Sequence, residues 1–238
     1  MSVLSVVIPA YNEERFIGIL LDKIRAVDLG PLGYDKELIV VDDCSRDRTA
    51  EIVRAVPGVR LIAMERNGGK GRAVRAGIAA ATGDLLIIQD ADLEYDPQDY
   101  VPMVRALLDG GADIVYGSRY LRRGPSTSLR TGRHAQQSLT AYLGGRSLSL
   151  VAWLFTGTYL TDTVTALKLF RRDEIAALPL ETSGFELDHE ITARMLHRGK
   201  RIVEIPIRYY PRSRAEGKKI GLRDWFIGTQ TFWRYRNG

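Results

Sequence analysis

Short apolar runs closed by polar or turn-forming residues alternate with stretches of helical period along the first half of the chain. Val3 to Ile8, Leu38 to Val41, Val59 to Ala63 and Leu85 to Ile88 predict strands, and the unbroken run at 85–88 predicts burial on both faces. Pro9 has no ladder donor and is expected to end the first strand. Between strands the period changes. Phe16, Ile17, Leu20, Leu21 and Ile24 share one face of a helix that starts near Glu13 and ends before Gly30-Pro31. Ile52, Val53 and Val56 follow Ser45 and Asp47, either of which can cap a second helix. Ala73, Val74, Gly77 and Ile78 make a third, entered through Asn67-Gly68-Gly69-Lys70-Gly71 and stopped at Gly83. A helix at about 98–109 and a strand at 112–117 come next. This alternation predicts an α/β chain with a doubly wound, mostly parallel sheet.

Ligands of such sheets bind beyond the carboxyl ends of the strands, where the loops leave a crevice. Tyr11 and Glu13, Asp42 and Asp43, and Asp90 and Asp92 all fall on that edge. Asp90, Asp92 and Glu94 stand at alternate positions where the strand at 85–88 breaks into a loop. They offer only oxygen, and too little of it to close a coordination shell, which suits Mg²⁺ or Mn²⁺ carrying a phosphate-bearing ligand and water. A solvated acidic turn is the other use of an isolated Asp-x-Asp, and the other acids on the edge favour a site. No Gly-x-Gly-x-x-Gly follows the first strand and no loop ends Gly-Lys-Ser or Gly-Lys-Thr, so dinucleotide and P-loop chemistry lose support. Lys70 has two open readings, a plain helix entry or a lysine near phosphate.

Further on, Arg119, Arg122, Arg123, Arg130 and Arg133 stand among Gly, Pro, Ser and Thr without periodicity, as in a mobile basic loop. Arginine suits phosphate because its planar fork donates two parallel hydrogen bonds. Residues 135–160 predict an apolar helix, with Trp153 and Phe155 expected in the core rather than at a membrane. A loop into a strand spans 161–170, a helix bearing Glu186, Asp188 and Glu190 runs from Phe185 to Leu196, and a last strand covers 201–209. Residues 211–219 form a basic tail able to fold over an anion as a lid. The final stretch sets Trp225, Phe226, Phe232 and Trp233 beside Arg223, Arg234 and Arg236. Aromatics flanked by arginine suit a helix in a membrane interface, and a helix docked on the core or in a homodimer contact uses the same pattern.

Composition narrows the classes. Hydrophobic residues at 45% and charged residues at 26% describe an ordinary globular chain. A net charge of +5 fits an anionic partner: phosphorylated ligand, anionic membrane or nucleic acid. Cys44 is the only cysteine, which excludes an internal disulfide and a cysteine-based zinc site and makes a reducing, cytoplasmic setting the default. The amino terminus starts as a strand where an export signal needs a basic start and an apolar core. The longest uncharged run, Ser147 to Thr161, falls short of the roughly 20 residues that span a bilayer. A soluble or peripheral protein is expected.

These residues resemble the inverting nucleotide-sugar glycosyltransferases of family 2, with the GT-A fold, and within them the dolichol-phosphate mannosyltransferase group. The resemblance covers about 3–220 and rests on VVIPAYNEE at 6–14, VVDDCSRDRT at 40–49, GGKGRAVRAG at 68–77, DADLEYDP at 90–97, GSRY at 117–120, DTVTALKLFRRD at 162–173, and EIPIRYYPR at 204–212 with GKKIG at 217–221. It implies a Rossmann-like catalytic domain over 1–210, with the basic lid segment and the C-terminal interfacial or docking helix read above occupying 211–238. It also implies that Pro9, Tyr11, Glu13 and Asp42 hold the nucleotide, with Asp42 reading base or ribose. Asp90, Asp92 and Glu94 would ligate Mg²⁺ or Mn²⁺, although the family often has Gln at the last of these, and Ala91 would lie against the donor. Arg119, Lys168, Arg212 and Lys218 match positions that meet the donor diphosphate or the acceptor phosphate, and Arg133 is a looser match. Asp92 and Arg119 are the residues expected to carry the chemistry. Two departures stand out: GKKI replaces the Gly-x-Ser-Lys more usual in mannosyltransferases, and only one interfacial helix follows where some relatives carry transmembrane segments.

The implied reaction moves a mannose- or glucose-type sugar from a nucleoside diphosphate to a polyprenyl (dolichyl or undecaprenyl) phosphate at the cytoplasmic face of a membrane. An inverting transfer to a hydroxyl needs a general base, for which Asp188 or Glu190 is the candidate, whereas a phosphate monoester is already largely a dianion at neutral pH. A saccharide or small-molecule hydroxyl acceptor is therefore the alternative within enzymes. A non-catalytic nucleotide binder is a further one. Nucleic acid is disfavoured, since the clustered carboxylates would repel its backbone.

Overall fold

The computed structural model describes residues 1–123, 129–131, 139–211 and 222–237. In chain order these form β1 (Ser2–Ala10), α1 (Ile17–Arg25), β2 (Tyr34–Asp42), α2 (Thr49–Arg54), β3 (Val59–Ala63), α3 (Lys70–Ala80), β4 (Leu85–Ile88), α4 (Tyr100–Leu108), β5 (Ile114–Ser118), β6 (Leu121–Arg123), β7 (Leu129–Thr131), α5 (Leu139–Thr156), β8 (Lys168–Arg171), α6 (Arg172–Ala176), α7 (Leu187–His197), β9 (Ile202–Pro206) and α8 (Leu222–Arg234). Among the described residues the main sheet has seven strands in the order β3-β2-β1-β4-β8-β5-β9. All neighbours are parallel except β8, which runs antiparallel to both β4 and β5.

The apolar runs form strands because only a sheet covered on both faces can hide them. Leu85 and Ile87 pack with Leu20, Ile24, Met103 and Val104 on one side, while Leu86 and Ile88 pack with Val74, Ile78 and Ile191 on the other. Helices α1 and α4 thus cover one face, and α3 and α7 the other. The parallel register brings Ala10 opposite Asp42, and β4 ends beside β1, so the carboxyl ends of β1, β2 and β4 open on one edge. The reversal of β8 then has a consequence for the site. Its first residue, Lys168, pairs with Ile88 and Tyr116 and so reaches that same edge.

Pro9 does not end β1, which continues through Ala10. The Val7 carbonyl accepts from the Gln89 N–H and the Ala10 carbonyl accepts from the Asp43 N–H. Alternation therefore turns the Pro9 nitrogen toward β4 beyond its last residue, where no ladder donor is needed. Neither Ser45 nor Asp47 is the cap of α2. The cap position is Arg48 without a side-chain bond, and Asp47 instead accepts from the Thr49 N–H at 2.9 Å and the Glu14 N–H at 3.1 Å, tying two loops together.

The basic stretch after β5 is not wholly irregular, since β6 and β7 pair as an antiparallel ribbon. Helix α5 also departs from expectation. Leu143, Leu150, Trp153 and Leu154 stand exposed on it, Leu154 at 75%. Helix α8 docks on α5 and α7: Phe232 is buried with Ala152 and Ala193, and the Trp225 indole N–H donates to Ser147 Oγ at 2.8 Å. Gly228 permits the approach, because a Cβ there would lie 2.7 Å from His189 Nε2. The opposite side of α8 leaves Phe226 and Trp233 exposed. Among the described residues no helix is long and apolar enough to cross a membrane.

Candidate active site

The loops after β1 and β2 are stitched into one wall. Asn12 adopts a left-handed conformation (φ 56) that a short polar side chain tolerates, and its backbone N–H donates to Ser45 Oγ at 2.9 Å while its Oδ1 accepts from the Arg46 N–H at 2.8 Å. The Glu13 N–H donates to Thr49 Oγ1 at 2.8 Å. Tyr11, Glu13 and Asp42 are thereby collected where β1 and β2 end. Asp42 is buried; its Oδ2 accepts from the Ser45 N–H at 3.2 Å, and its Oδ1 has no hydrogen-bond partner among the described residues. A buried carboxylate oxygen left open is costly, and a donor from a ligand would satisfy it.

Asp43, unassigned by sequence reasoning, clamps the entry to α3. Its two oxygens accept from the Gly68 and Gly69 N–H groups at 2.8 and 2.7 Å. Gly69 has φ 87, and a Cβ on it would sit 2.5 Å from the Ser183 carbonyl oxygen, so only glycine fits this crossing. Lys70 is thus delivered into a line of charge across the sheet edge. Its ammonium lies 2.8 Å from Asp90 Oδ1 and 3.1 Å from Asp188 Oδ2, and the Lys168 ammonium lies 2.8 Å from Asp188 Oδ1. Burial works against charge on Lys70, but Asp188 and Asp90 outweigh it and hold the group protonated. Burial likewise opposes the Asp188 carboxylate, yet Lys168 and Lys70 draw it down to about 2. Lys168 itself is shifted down by burial, with Asp188 opposing. Asp90 is pushed up by burial and by the like charge of Asp92, with Lys70 opposing.

Glu94, the third of the alternating acids, is tied to the segment that follows β9. Leu93 takes a left-handed conformation (φ 60) that turns the chain between Asp92 and Glu94. The Glu94 carboxylate then accepts the Tyr209 hydroxyl at 3.0 Å, and its carbonyl accepts the Tyr210 N–H at 2.8 Å. Among the described residues no three His, Cys, Asp or Glu side chains converge on one point. Asp90 and Asp92 offer the oxygen ligands that suit a hard divalent cation completing its shell with diphosphate and water. The ammonium of Lys70 beside Asp90 shows that a positive charge is accommodated there. Ala91 has its side chain in the core beneath the loop.

Arg119 follows β5 and is almost wholly buried. Its Nε and Nη2 donate to the two oxygens of Asp162, both at 2.7 Å, and its guanidinium lies over Tyr120 and Tyr209. The Asp162 and Thr161 N–H groups are held in turn by Glu204, at 2.8 and 2.6 Å. A cleft of about 680 Å³ opens beside the acidic loop, lined by Arg119, Arg122, Arg208, Tyr209 and Tyr210 among others. Arg133, Arg212 and Lys218 lie outside the described residues. The two candidate bases are committed elsewhere. Asp188 is paired with both lysines, and Glu190 accepts from the Thr182 hydroxyl at 2.6 Å, the Thr182 N–H at 2.9 Å and Arg194 Nε at 2.8 Å. Burial pushes Glu190 up, but these bonds prevail and hold it below its usual value.

An open, mostly parallel sheet with one antiparallel insertion and an acidic carboxyl edge defines the class, a GT-A glycosyltransferase. The chain belongs to glycosyl transferase family 2, whose model matches residues 5–174. It is 30% identical over 222 residues to a dolichol-phosphate mannosyltransferase of Pyrococcus furiosus, covering 91% of this chain and 59% of that protein. It is 32% identical over 217 residues to a dolichyl-phosphate hexose transferase of Haloferax volcanii, covering 91% of this chain and 86% of that one. Among solved structures, glucosyl-3-phosphoglycerate synthase of Mycobacterium tuberculosis, in complex with Mn²⁺, UDP-glucose and phosphoglyceric acid, aligns with a TM-score of 0.72 at 22% identity. That alignment covers 99% of this chain and 80% of the synthase, and it establishes a shared fold.

Proposed function

We propose that this protein transfers a mannose- or glucose-type sugar from a nucleoside diphosphate to the phosphate of a polyprenol, with inversion at the anomeric carbon. The observation that carries the reading is the commitment of Asp188 and Glu190 to ion pairs and backbone hydrogen bonds. A hydroxyl acceptor needs a base near its working pH, and neither carboxylate is poised to be one. A phosphate monoester, with a second pKa of about 6, arrives as its own nucleophile. The names of the polyprenyl-phosphate relatives point to the same acceptor class.

The residues divide the work. The open Oδ1 of Asp42 accepts from base or ribose. Asp90 and Asp92 would hold Mg²⁺ or Mn²⁺, which would supply Lewis-acid neutralisation of the leaving diphosphate. Arg119, whose guanidinium Asp162 holds in orientation, lines the cleft where the acceptor phosphate enters. The lipid tail leaves toward the face made by α5 and α8, whose exposed Leu150, Trp153, Leu154, Phe226 and Trp233 rest on the cytoplasmic surface of a membrane, with Arg223 and Arg236 meeting anionic headgroups.

The test is a transfer assay with Mn²⁺, vesicles containing undecaprenyl phosphate or undecaprenol, and UDP-glucose, UDP-GlcNAc, GDP-mannose and dTDP-glucose as donors. A lipid-linked sugar phosphate formed only with the phosphorylated lipid is the expected result. Equal transfer to the free alcohol, or none to either lipid alongside transfer to a soluble hydroxyl, overturns the reading.

A further inference from the structure

Lys70 touches two carboxylates with different needs. Asp188 has a second cation, Lys168 at 2.8 Å, and stays paired if Lys70 leaves. Among the ion pairs described for Asp90, Lys70 is its cation, at 2.8 Å, while Asp92 adds like charge two residues on. The backbone around Lys70 cannot move aside. Asp43 holds the Gly68 and Gly69 N–H groups, the Gly71 N–H donates to the Ser183 carbonyl at 2.7 Å, and a Cβ on Gly71 would lie 2.6 Å from the Thr182 carbonyl oxygen. Only the flexible side chain can swing, pivoting from Asp90 while keeping Asp188. Two cations on one carboxylate repel, and a divalent ion doubles that repulsion.

We infer that Lys70 is a built-in competitor of the divalent cation at Asp90: its ammonium neutralises the acidic pair in the empty site and weakens metal binding until the donor diphosphate draws it away. The inference rests on the metal-dependent reading above. It gives the buried lysine a role in the order of binding, with metal taken up tightly only together with donor.

The test is Mn²⁺ titration of the nucleotide-free protein, read from the electron paramagnetic resonance signal of free Mn²⁺. Lys70→Met should bind Mn²⁺ at least about tenfold more tightly than the wild type. Lys70→Arg keeps the charge and should bind as the wild type does. Lys70→Gln retains hydrogen bonds without the charge and gives the same tightening should the Met variant fail to fold, as judged by circular dichroism and melting. Unchanged or weaker Mn²⁺ binding in a folded neutral variant overturns the inference while leaving metal dependence intact. No Mn²⁺ binding by any of the nucleotide-free proteins overturns the inference, and no binding when UDP-glucose or GDP-mannose is added as well removes the metal reading beneath it.

Discussion

The carboxyl edge of the sheet and the face made by α5 and α8 meet on α7, where consecutive residues belong to opposite regimes. Asp188 points to the sheet edge and is held charged down to about pH 2 by Lys168 and Lys70 against the cost of burial. His189 points to α8, lies against the Phe232 ring at 5.1 Å, and has a buried Nδ1 without a partner among the described residues. Burial pushes its imidazole down to about 4, so it docks the helix as a neutral group. The edge is organised by paired charge and the helix face by apolar contact. Substitutions in the two should therefore fail differently, chemistry on one side and attachment on the other.

Asp92→Ala sharpens that contrast most. It should lower metal-dependent turnover at least about a thousandfold, since Lewis-acid stabilisation contributes several kcal/mol, while melting stays near the wild type. Turnover within tenfold of the wild type at saturating Mn²⁺ breaks the assignment. Asp162→Ala strands the buried Arg119 guanidinium and should cost about 3–5 kcal/mol in urea unfolding. A loss below about 1 kcal/mol would mean that Arg119 finds other partners. On the helix side, the unfolded chain protonates His189 near 6.5 and the folded one near 4, so the folded state binds fewer protons between those values. Stability should be full above pH 6.5, fall by up to about 3 kcal/mol as pH drops toward 4, and level off below. His189→Met should flatten this window, and an unchanged slope assigns it to other groups. Leu154→Glu with Trp233→Glu should weaken binding to anionic vesicles about tenfold or more, with stability changed by only about 0.5 kcal/mol. Unaltered vesicle binding would take the membrane contact away from this face, and a change in oligomeric state would make it a contact between copies.

The two regions also differ in how far the sequence discloses them. The edge was legible because its strands are unbroken apolar runs and its acids follow them directly, as at Val41-Asp42 and Ile88-Gln89-Asp90. The direction of β8 was not, since an apolar run reads the same either way, and only pairing beside Ile88 carries Lys168 to the edge. Lys70, Asp90, Asp188 and Lys168 were each visible as charges, but their line joins residues brought together by long-range packing. Glu94 was grouped with the aspartates by its spacing and by the family resemblance. Its bond to the Tyr209 hydroxyl was not legible, because it depends on the left-handed turn at Leu93, a conformation that leucine rarely signals, and on packing against a distant segment. Helix α5 illustrates the remaining gap, because periodicity marks an apolar face without saying what covers it, and half of that face stands exposed.

Smallest of the expected effects is that of Glu190→Gln on turnover, and it bears on the central claim that the acceptor brings its own nucleophile. The decisive measurement is the pH dependence of kcat/KM with a polyprenyl phosphate acceptor, for the wild type and for a folded Glu190→Gln variant. In both proteins the rate should rise through about pH 6, as the acceptor loses its second proton, and should differ by no more than about threefold. A limb at lower pH that vanishes together with turnover in the folded variant would make Glu190 the base and contradict the account.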